Sequence, residues 1–397
     1  MGDMDDARIV GVGMTKQARD LSHRTGFSVA LEALKQALDE ASMTVDEIDG
    51  FGANVTGWPG GGGAGYWAYQ LKREFKWAGG AGLADIAMAA RLITSGYLNT
   101  VAIVLGMVRP PNLINPPWTE SHSEFTGWTG AVPVQPTQFG LVAQRYAYEV
   151  PGAVDAMAEI AASTRNFGSI NPDAVYFARG PFTAQDVLDS RMIASPLTLL
   201  MCSTVNDGGC AMVLTHKDRA KDTPKPPIRV IAGASHIAYP AYHEPPALEG
   251  YYAAGRHYRD TMARAGVNPA EDINVVEFYD HFASHVLMQY EQFGFCGKGE
   301  APDLVQSGEM RLGGRFPTCT DGGNLSFSHP GAPILHRPIE GVRQLRGEVK
   351  DLCPGWETGD HSYDPAMCRK VREPKLAFAS NPGTPTIQGS MLVMGAE

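Results

Sequence analysis

Glycine-broken apolar runs alternate with amphipathic helices in this chain, and the same order of elements occurs twice. The run "ARIVGVG" reads as a buried strand. In "TGFSVALEALKQALDEASMT", Val29, Leu31, Leu34, Ala37 and Leu38 recur at helical spacing behind Thr25, a possible N-cap. "VDEIDGFGANVTG" returns to a strand and a turn, and the glycine-rich "WPGGGGAGYW" reads as a loop. "FKWAGGAGLADIAMAARLITSGYLNTVAIVLG" then gives a glycine turn, a helix, a stop at Gly96 and a buried strand. The helix has Leu83, Ile86, Ala87, Ala90 and Ile93 on one face. Later, "PPIRVIAGASHIAY" is strand-like from Ile228, and "YYAAGRHYRDTMARAGVNPAEDINVVEFYD" is a helix followed by a strand. "PILHRPIEGVRQLRGE" reads as a helix, and "KLAFASNPG" and "SMLVMGAE" as buried strands. The repeat is firmer in element order than in residue identity. Such alternation favours a layered α/β architecture. The charged, proline-containing "KDRAKDTPKPPIR" divides the expected halves, 1–225 and 226–397. The first carries a mainly helical insertion, with turns at Asn171-Pro172 and Asp207-Gly208-Gly209.

Length and composition narrow the function. At about 100–200 residues per domain, 397 residues make two or three domains or one large layered unit. With 44% hydrophobic and only 19% charged residues, the core is ample and the surface lean, which suits burial in an oligomer. The net charge is -10 and no Lys/Arg run is sustained, which argues against nucleic acid. An anionic ligand such as coenzyme A needs only a few local cations. The acidic "MGDMDDARIVGVGMTKQ" has no signal-peptide core, and no apolar run nears the roughly 20 residues that span a bilayer. No membrane insertion is expected. Six cysteines without a CxxC pair signal neither a disulfide framework nor a zinc site, so a cytoplasmic location is expected.

Taken in order, "GAGLADIAMAARLITSGYLNTVAIVLG", "NPDAVYF", "SRMIASPLTLLMCSTVNDGGCAMVLT", "VVEFYDHFASH", "FGFCGKGEAP", "DGGNLSFSHPGAP" and "GVRQLRGE" resemble the thiolase superfamily. The resemblance lies with the branch of sterol carrier protein X thiolases and lipid-transfer-protein-like steroid side-chain aldolases, and it spans nearly the whole chain. It implies a five-layered αβαβα fold in which two related halves sandwich a central helix pair. It also implies a homodimer, and an acyl-coenzyme A site at buried helix N-termini, whose free N–H groups suit a developing oxyanion. Members of the branch typically work with a small OB-fold/zinc-ribbon protein.

The departures from the family carry the chemistry. Aligning Gly80-Ala81-Gly82 with the thiolase turn puts Gly79 where the nucleophilic cysteine should stand. The second catalytic cysteine, expected in "SNPGTPTIQGSMLVMG", is absent too, with Ser380 and Asn381 nearest its place. Without a thiolate, covalent acyl transfer at this position is excluded. Two positions remain. His329 in "GGNLSFSHPGAP" matches the histidine that polarises the thioester. Tyr279 in "VVEFYDHF", followed by Asp280, replaces the thiolase Asn or His, as in the aldolases. Those aldolases often carry a tyrosine where His329 stands, so the second acid/base role departs from their pattern.

Retro-aldol cleavage of a β-hydroxyacyl-coenzyme A fits these residues, because it needs a base, an enolate stabiliser and a proton donor but no nucleophile. Tyr279 is the candidate base; with an ordinary pKa near 10 it would need a nearby cation or N–H donors. His329 is the candidate donor to the thioester oxygen or the acid that reprotonates Cα. Asp280 either orients a partner or caps the following helix. His281 would share Tyr279's strand face if the strand continued, and His285 would lie in the next helix. Gly79, Gly80, Gly82 and Gly383 are candidate substrate-contacting backbone, with the space vacated at Gly79 open to a bulky acyl group. No metal site and no covalently bound cofactor is expected; coenzyme A enters as part of the substrate. Tyr279 as a core residue and His329 as a plain turn residue are the structural alternatives. A noncatalytic acyl-coenzyme A-binding subunit and an acyltransferase using a displaced cysteine, Cys319 before Cys296 or Cys210, are the functional ones.

Overall fold

A computed structural model describes residues 4–56, 62–109, 135–203, 205–237, 248–329, 335–349, 369–381 and 388–397. Among these, nine strands form one mixed sheet. They are β1 (Ala7–Met14), β2 (Gly50–Thr56), β3 (Trp77–Gly79), β4 (Thr100–Met107), β5 (Gly208–His216), β6 (Ile228–Ile237), β7 (Ile273–Glu277), β8 (Leu376–Ser380) and β9 (Gln388–Ala396). Their order is β3-β2-β4-β5-β1-β6-β9-β8-β7.

That order is mirrored about the seam between β1 and β6. Outward from the seam, the first half runs first strand, last, fourth, second, third; the second half runs β6, β9, β8, β7. Thr318 then bridges in parallel to Val276, where a counterpart of β3 would lie. The pairs β2–β3, β2–β4 and β7–β8 are parallel, while β5 and β9 run antiparallel to both neighbours. The two halves thus join into one ladder. The join is slight, with only Arg8 and Ile9 pairing with Arg229 and Ile228.

Period-two alternation puts both faces of each half to use. Ile9, Val12, Ile103, Leu105, Met212 and Leu214 from the first half meet Val275, Ala377, Ala379, Leu392 and Met394 from the second in one buried cluster. Between them lie the helices Leu83–Thr94 and His336–Leu345. The first-half residues in between, Val10, Val104 and Val213, pack instead on Ala33, Leu34 and Ala37 of α1 (Gly26–Ala41). In the second half, Val276, Phe378 and Val393 join a third cluster with Tyr258, Val286 and Tyr290. Helix α2 is Ala64–Leu71 and α3 is Leu83–Thr94, whose Leu83, Ile86 and Ala90 enter the central cluster. Helices α4 (Gln135–Glu149) and α5 (Ala153–Ile170) form the insertion; α6 (Leu248–Arg264) and α7 (Ala283–Phe293) cover the second half. Helix α8 (His336–Leu345) enters the same central cluster through Ile339 and Val342. The layers are therefore α1, first-half strands, α3 with α8, second-half strands, and α6 with α7: the thiolase-like five-layered αβαβα arrangement with two related halves. Each fully buried Val, Leu or Ile in these clusters contributes about 1.5–3 kcal/mol.

Local signals account for several boundaries. Thr25 Oγ1 accepts from Ser28 N, and Ser28 Oγ accepts from Thr25 N, a reciprocal cap that opens α1. Three readings change. Helix α2 starts at Ala64, inside the stretch read as loop; residues 57–61 of that stretch lie outside the described residues. Trp77–Gly79 is a short edge strand rather than part of a turn. β7 ends at Glu277, so Tyr279, Asp280 and His281 sit beyond the strand, and strand-face geometry does not relate them.

Candidate active site

Two segments distant in sequence converge at the end of β7. The chain leaves the strand through Phe278 to Tyr279, whose backbone is clamped by α7 and β8. Its N–H donates to Ser380 Oγ (3.1 Å), and its carbonyl accepts from Gln289 Nε2 (2.9 Å). Opposite it, residues Gly323–Phe327 form one wide helical turn. Gly322 (φ 107) and Gly323 (φ 55) enter this turn in the left-handed region. A Cβ on Gly323 would lie 2.1 Å from Asp280 Oδ2, so a glycine is required there on steric grounds as well.

Asp280 is buried, and its carboxylate accepts from Asn324 N (2.6 Å) and Leu325 N (3.1 Å). It caps the turn leading to His329, not the helix that follows it in sequence. Phe282 occupies the N-cap of α7 without a side-chain cap. Burial pushes the Asp280 carboxyl up to about 6, against the pull of those two N–H groups.

The turn delivers His329 to Tyr279, with Tyr279 Oη and His329 Nε2 3.1 Å apart. His329 N donates to Asn206 Oδ1 (2.5 Å), and Asn206 Nδ2 donates to Ser328 Oγ (2.9 Å), so the start of β5 fixes the histidine's backbone. Desolvation first, then the Arg337 charge, pushes His329 down to about 3. The imidazole is therefore neutral at working pH. Its second nitrogen, Nδ1, is buried and has no hydrogen-bond partner among the described residues. His281 stacks on Tyr279 with ring centroids 4.2 Å apart, and His281 and His285 approach through their Nδ1 atoms at 3.5 Å. Burial drives both downward, His285 to about 3. The Arg337 guanidinium lies 4.7 Å from the Tyr279 ring centre.

The turn at Gly79 is built differently from an open anion site. Asp85, at the third position of α3, accepts from Gly80 N (2.8 Å) and Gly82 N (2.9 Å). The helix N-terminus is thus charge-compensated by its own carboxylate. A Cβ on Gly79 would lie 2.3 Å from Trp77 Cη2 and 2.4 Å from Cζ2. The space expected to be free for substrate at this point is filled by the Trp77 indole. Gly383 lies outside the described residues.

The described cysteines do not supply a thiolate. Burial pushes Cys202, Cys210 and Cys296 up to about 12 and Cys319 well above its usual value. Cys319 Sγ donates to the Phe278 carbonyl at 3.4 Å. Sequence reasoning missed Asn206, Gln289, Asn324 and Arg337. Asn206 adjoined the "DGG" read only as a turn, and Arg337 sat in a segment read only as a helix.

The family of thiolase C-terminal domain-like proteins matches residues 235–354. A 17-hydroxy-3-oxo-4-pregnene-20-carboxyl-CoA lyase of Mycobacterium tuberculosis is 30% identical over 369 residues, covering 88% of this chain and 94% of that protein. The benzoylsuccinyl-CoA thiolase subunit BbsB of Thauera aromatica is 31% identical, covering 88% of this chain and 90% of that one. The solved structure of the Ltp2-ChsH2(DUF35) aldolase matches at a TM-score of 0.82 over 98% of both chains, with 24% identity. The chain belongs to the thiolase superfamily, in the branch that holds the steroid side-chain-cleaving aldolases and the sterol carrier protein thiolases, and is a thiolase-like lyase.

Proposed function

We propose that the chain cleaves a β-hydroxyacyl-coenzyme A by a retro-aldol reaction, with Tyr279 and His329 moving the proton. Tyr279 Oη takes the proton of the β-hydroxyl. The electron pair of the broken O–H bond closes to the carbonyl, the Cα–Cβ bond breaks, and its electron pair enters the thioester as an enolate. One proton returns to Cα, leaving a carbonyl product and a shortened acyl-coenzyme A. No proton is gained or lost overall, so a pair that accepts at one atom and returns from another is sufficient. A neutral His329 can accept from Tyr279 or donate to it, which suits this role. The observation that carries the reading is the 3.1 Å approach of Tyr279 Oη to His329 Nε2 in a chain that has Gly79 at the position aligned with the thiolase nucleophile.

The lyase from Mycobacterium tuberculosis names a bulky polycyclic acyl group, and this supports a steroid or similar side chain as substrate here. Gly79, Gly80, Gly82 and Gly383 remain proposed backbone neighbours of the thioester. A homodimer and a small OB-fold/zinc-ribbon partner are proposed from the resemblance, a cytoplasmic location from the cysteine usage, and a division at 225/226 from the charged, proline-containing linker. The Ltp2-ChsH2(DUF35) assembly supports looking for the partner. Asp280 is proposed to act through the turn that it holds.

The test is turnover of 17-hydroxy-3-oxo-4-pregnene-20-carboxyl-CoA, alone and with the candidate partner, followed by product analysis. A ring ketone and a shortened acyl-coenzyme A are expected. Tyr279→Phe should abolish them, and Cys319→Ala should leave them. Loss of turnover in Cys319→Ala with a normal fold would instead favour cysteine chemistry. The similarity to a thiolase subunit favours one other reading, a noncatalytic coenzyme A-binding subunit. Tight binding with no turnover in either preparation would support it.

A further inference from the structure

We propose that Arg337 is a positioning residue for this reaction: its buried cation favours the phenolate of Tyr279 and the neutral form of His329, making the pair a base. The inference rests on the reading that Tyr279 takes the substrate proton. Tyrosine is too weak an acid to serve near neutrality without help. The help must come from charge or N–H donors close to the ring, in a place water does not screen.

Arg337 meets both conditions. It lies near the start of α8, is fully buried, and its guanidinium sits 4.7 Å from the Tyr279 ring centre. Among the described residues, Nε donates to Ser380 O (3.0 Å), Nη1 to Asn324 Oδ1 (2.9 Å) and Nη2 to Asn381 Oδ1 (3.5 Å), which fixes the direction of the guanidinium. Ser380 Oγ also accepts from Tyr279 N, so one residue fixes both ring and cation.

The other groups around Tyr279 do less. From its own segment, His281 stacks on the ring and His285 lies behind it, both kept neutral by burial. Asp280 is engaged by Asn324 and Leu325 N–H. From the strand side, Glu277 is buried and held toward its neutral form, first by desolvation and then by Asp321 and Glu340. From α8 and the preceding turn, His336 Nδ1 and Asp321 Oδ2 pair at 2.7 Å. Cys319 donates to Phe278 O. Arg337 is thus the cation set against the ring, and the same charge disfavours a proton on His329.

Two measurements on the full chain test this. The first is a difference titration by tyrosinate absorbance, wild type minus Tyr279→Phe. Ionisation of Tyr279 clearly below about 10 is expected; ionisation at or above that value overturns the proposal, whether or not any Arg337 variant folds. The second is the pH profile of kcat/KM on 17-hydroxy-3-oxo-4-pregnene-20-carboxyl-CoA for wild type, Arg337→Lys and Arg337→Met. Removal of the charge should move the rising limb up by about 1–2 pH units, with activity recovered at high pH. Arg337→Lys should keep most of the wild-type limb. A uniform loss at every pH, with the limb unmoved, makes Arg337 structural and overturns the inference alone. Full activity in Tyr279→Phe removes the underlying reading instead.

Discussion

Restoring the missing nucleophile should fail, and the structure says by how much. Gly79→Cys places a Cβ 2.3 and 2.4 Å from two carbons of the Trp77 ring and 3.0 Å from Asp85 Oδ1. Carbon pairs rest at about 3.5–4.0 Å, so the overlap exceeds an ångström and the indole must leave its place. Forcing extra atoms into such a packed contact costs about 1–3 kcal/mol. Trp77 is only partly buried, so the indole can swing outward and the cost should fall short of the upper limit. In a Trp77→Ala background the overlap is gone, and the same Gly79→Cys change should be nearly neutral. The double-mutant coupling should therefore be about 1–2 kcal/mol in the favourable sense. Urea denaturation of the four proteins measures it, and a thioester-absorbance assay for thiolysis accompanies each. Gly79→Cys should gain no thiolase activity: Gly80 N and Gly82 N are already taken by Asp85, and Ser380 and Asn381 stand nearest the place of the second cysteine. A Gly79→Cys protein as stable as wild type, with no coupling to Trp77, would refute the steric argument. Thiolytic turnover from it would refute the chemical one.

Two further outcomes follow from the geometry. Asn206→Ala removes the acceptor of His329 N, leaving that N–H unpaired at a cost of about 1–3 kcal/mol, while Ser328 Oγ keeps its bond to Gln17. Turnover should fall at least about tenfold through the displaced histidine, and unchanged kcat/KM in a folded variant would show that the anchor is dispensable. His285 and His329 are held near 3 and His281 well below its usual value, so unfolding in acid takes up protons at all three. Their contribution to stability is present above about pH 6.5 and is lost as pH falls toward 3, at about 1.4 kcal/mol per pH unit for each fully titrating group. Asp280, raised to about 6, acts in the opposite sense; its contribution is present below about pH 4 and is lost as pH rises through 6. His285→Gln should therefore flatten the acid side of the stability curve, measured by denaturant midpoints from pH 4 to 7, and an unchanged slope would count against a buried neutral His285.

What the sequence disclosed depended on how local each signal was. Strand β6 begins at Ile228 where its apolar run begins, and Thr25 caps α1, because both depend on neighbours a few residues away. The resemblance named Tyr279 and His329 separately; their approach across 50 residues needed the turn that Asp280 holds. Helix α8 forms where the sequence placed it, but the burial of its polar residues His336, Arg337 and Glu340 was not legible. They answer one another's neighbours inside the protein: His336 with Asp321, Glu340 with Arg369, and Arg337 with Asn324. Polarity in a sequence reports exposure only when no internal partner exists, and partners from distant segments leave no local mark.

The filling of the nucleophile slot is a different case, because its signal was local. Trp77 and Gly79 are two residues apart on a strand, and residues at that spacing share a face. Once Trp77–Gly79 is read as a strand and not a turn, a large ring must lie beside the glycine's vacant side-chain position. The absent cysteine and the present tryptophan are then one feature. A smaller residue at 77 would leave a cavity at the end of α3 that water or a thioester could enter. The indole closes it, and Asp85 closes the helix N-terminus behind it. With the slot at Gly79 filled and the N-terminus of α3 held by Asp85, the proposed acid–base chemistry rests on Tyr279 and His329.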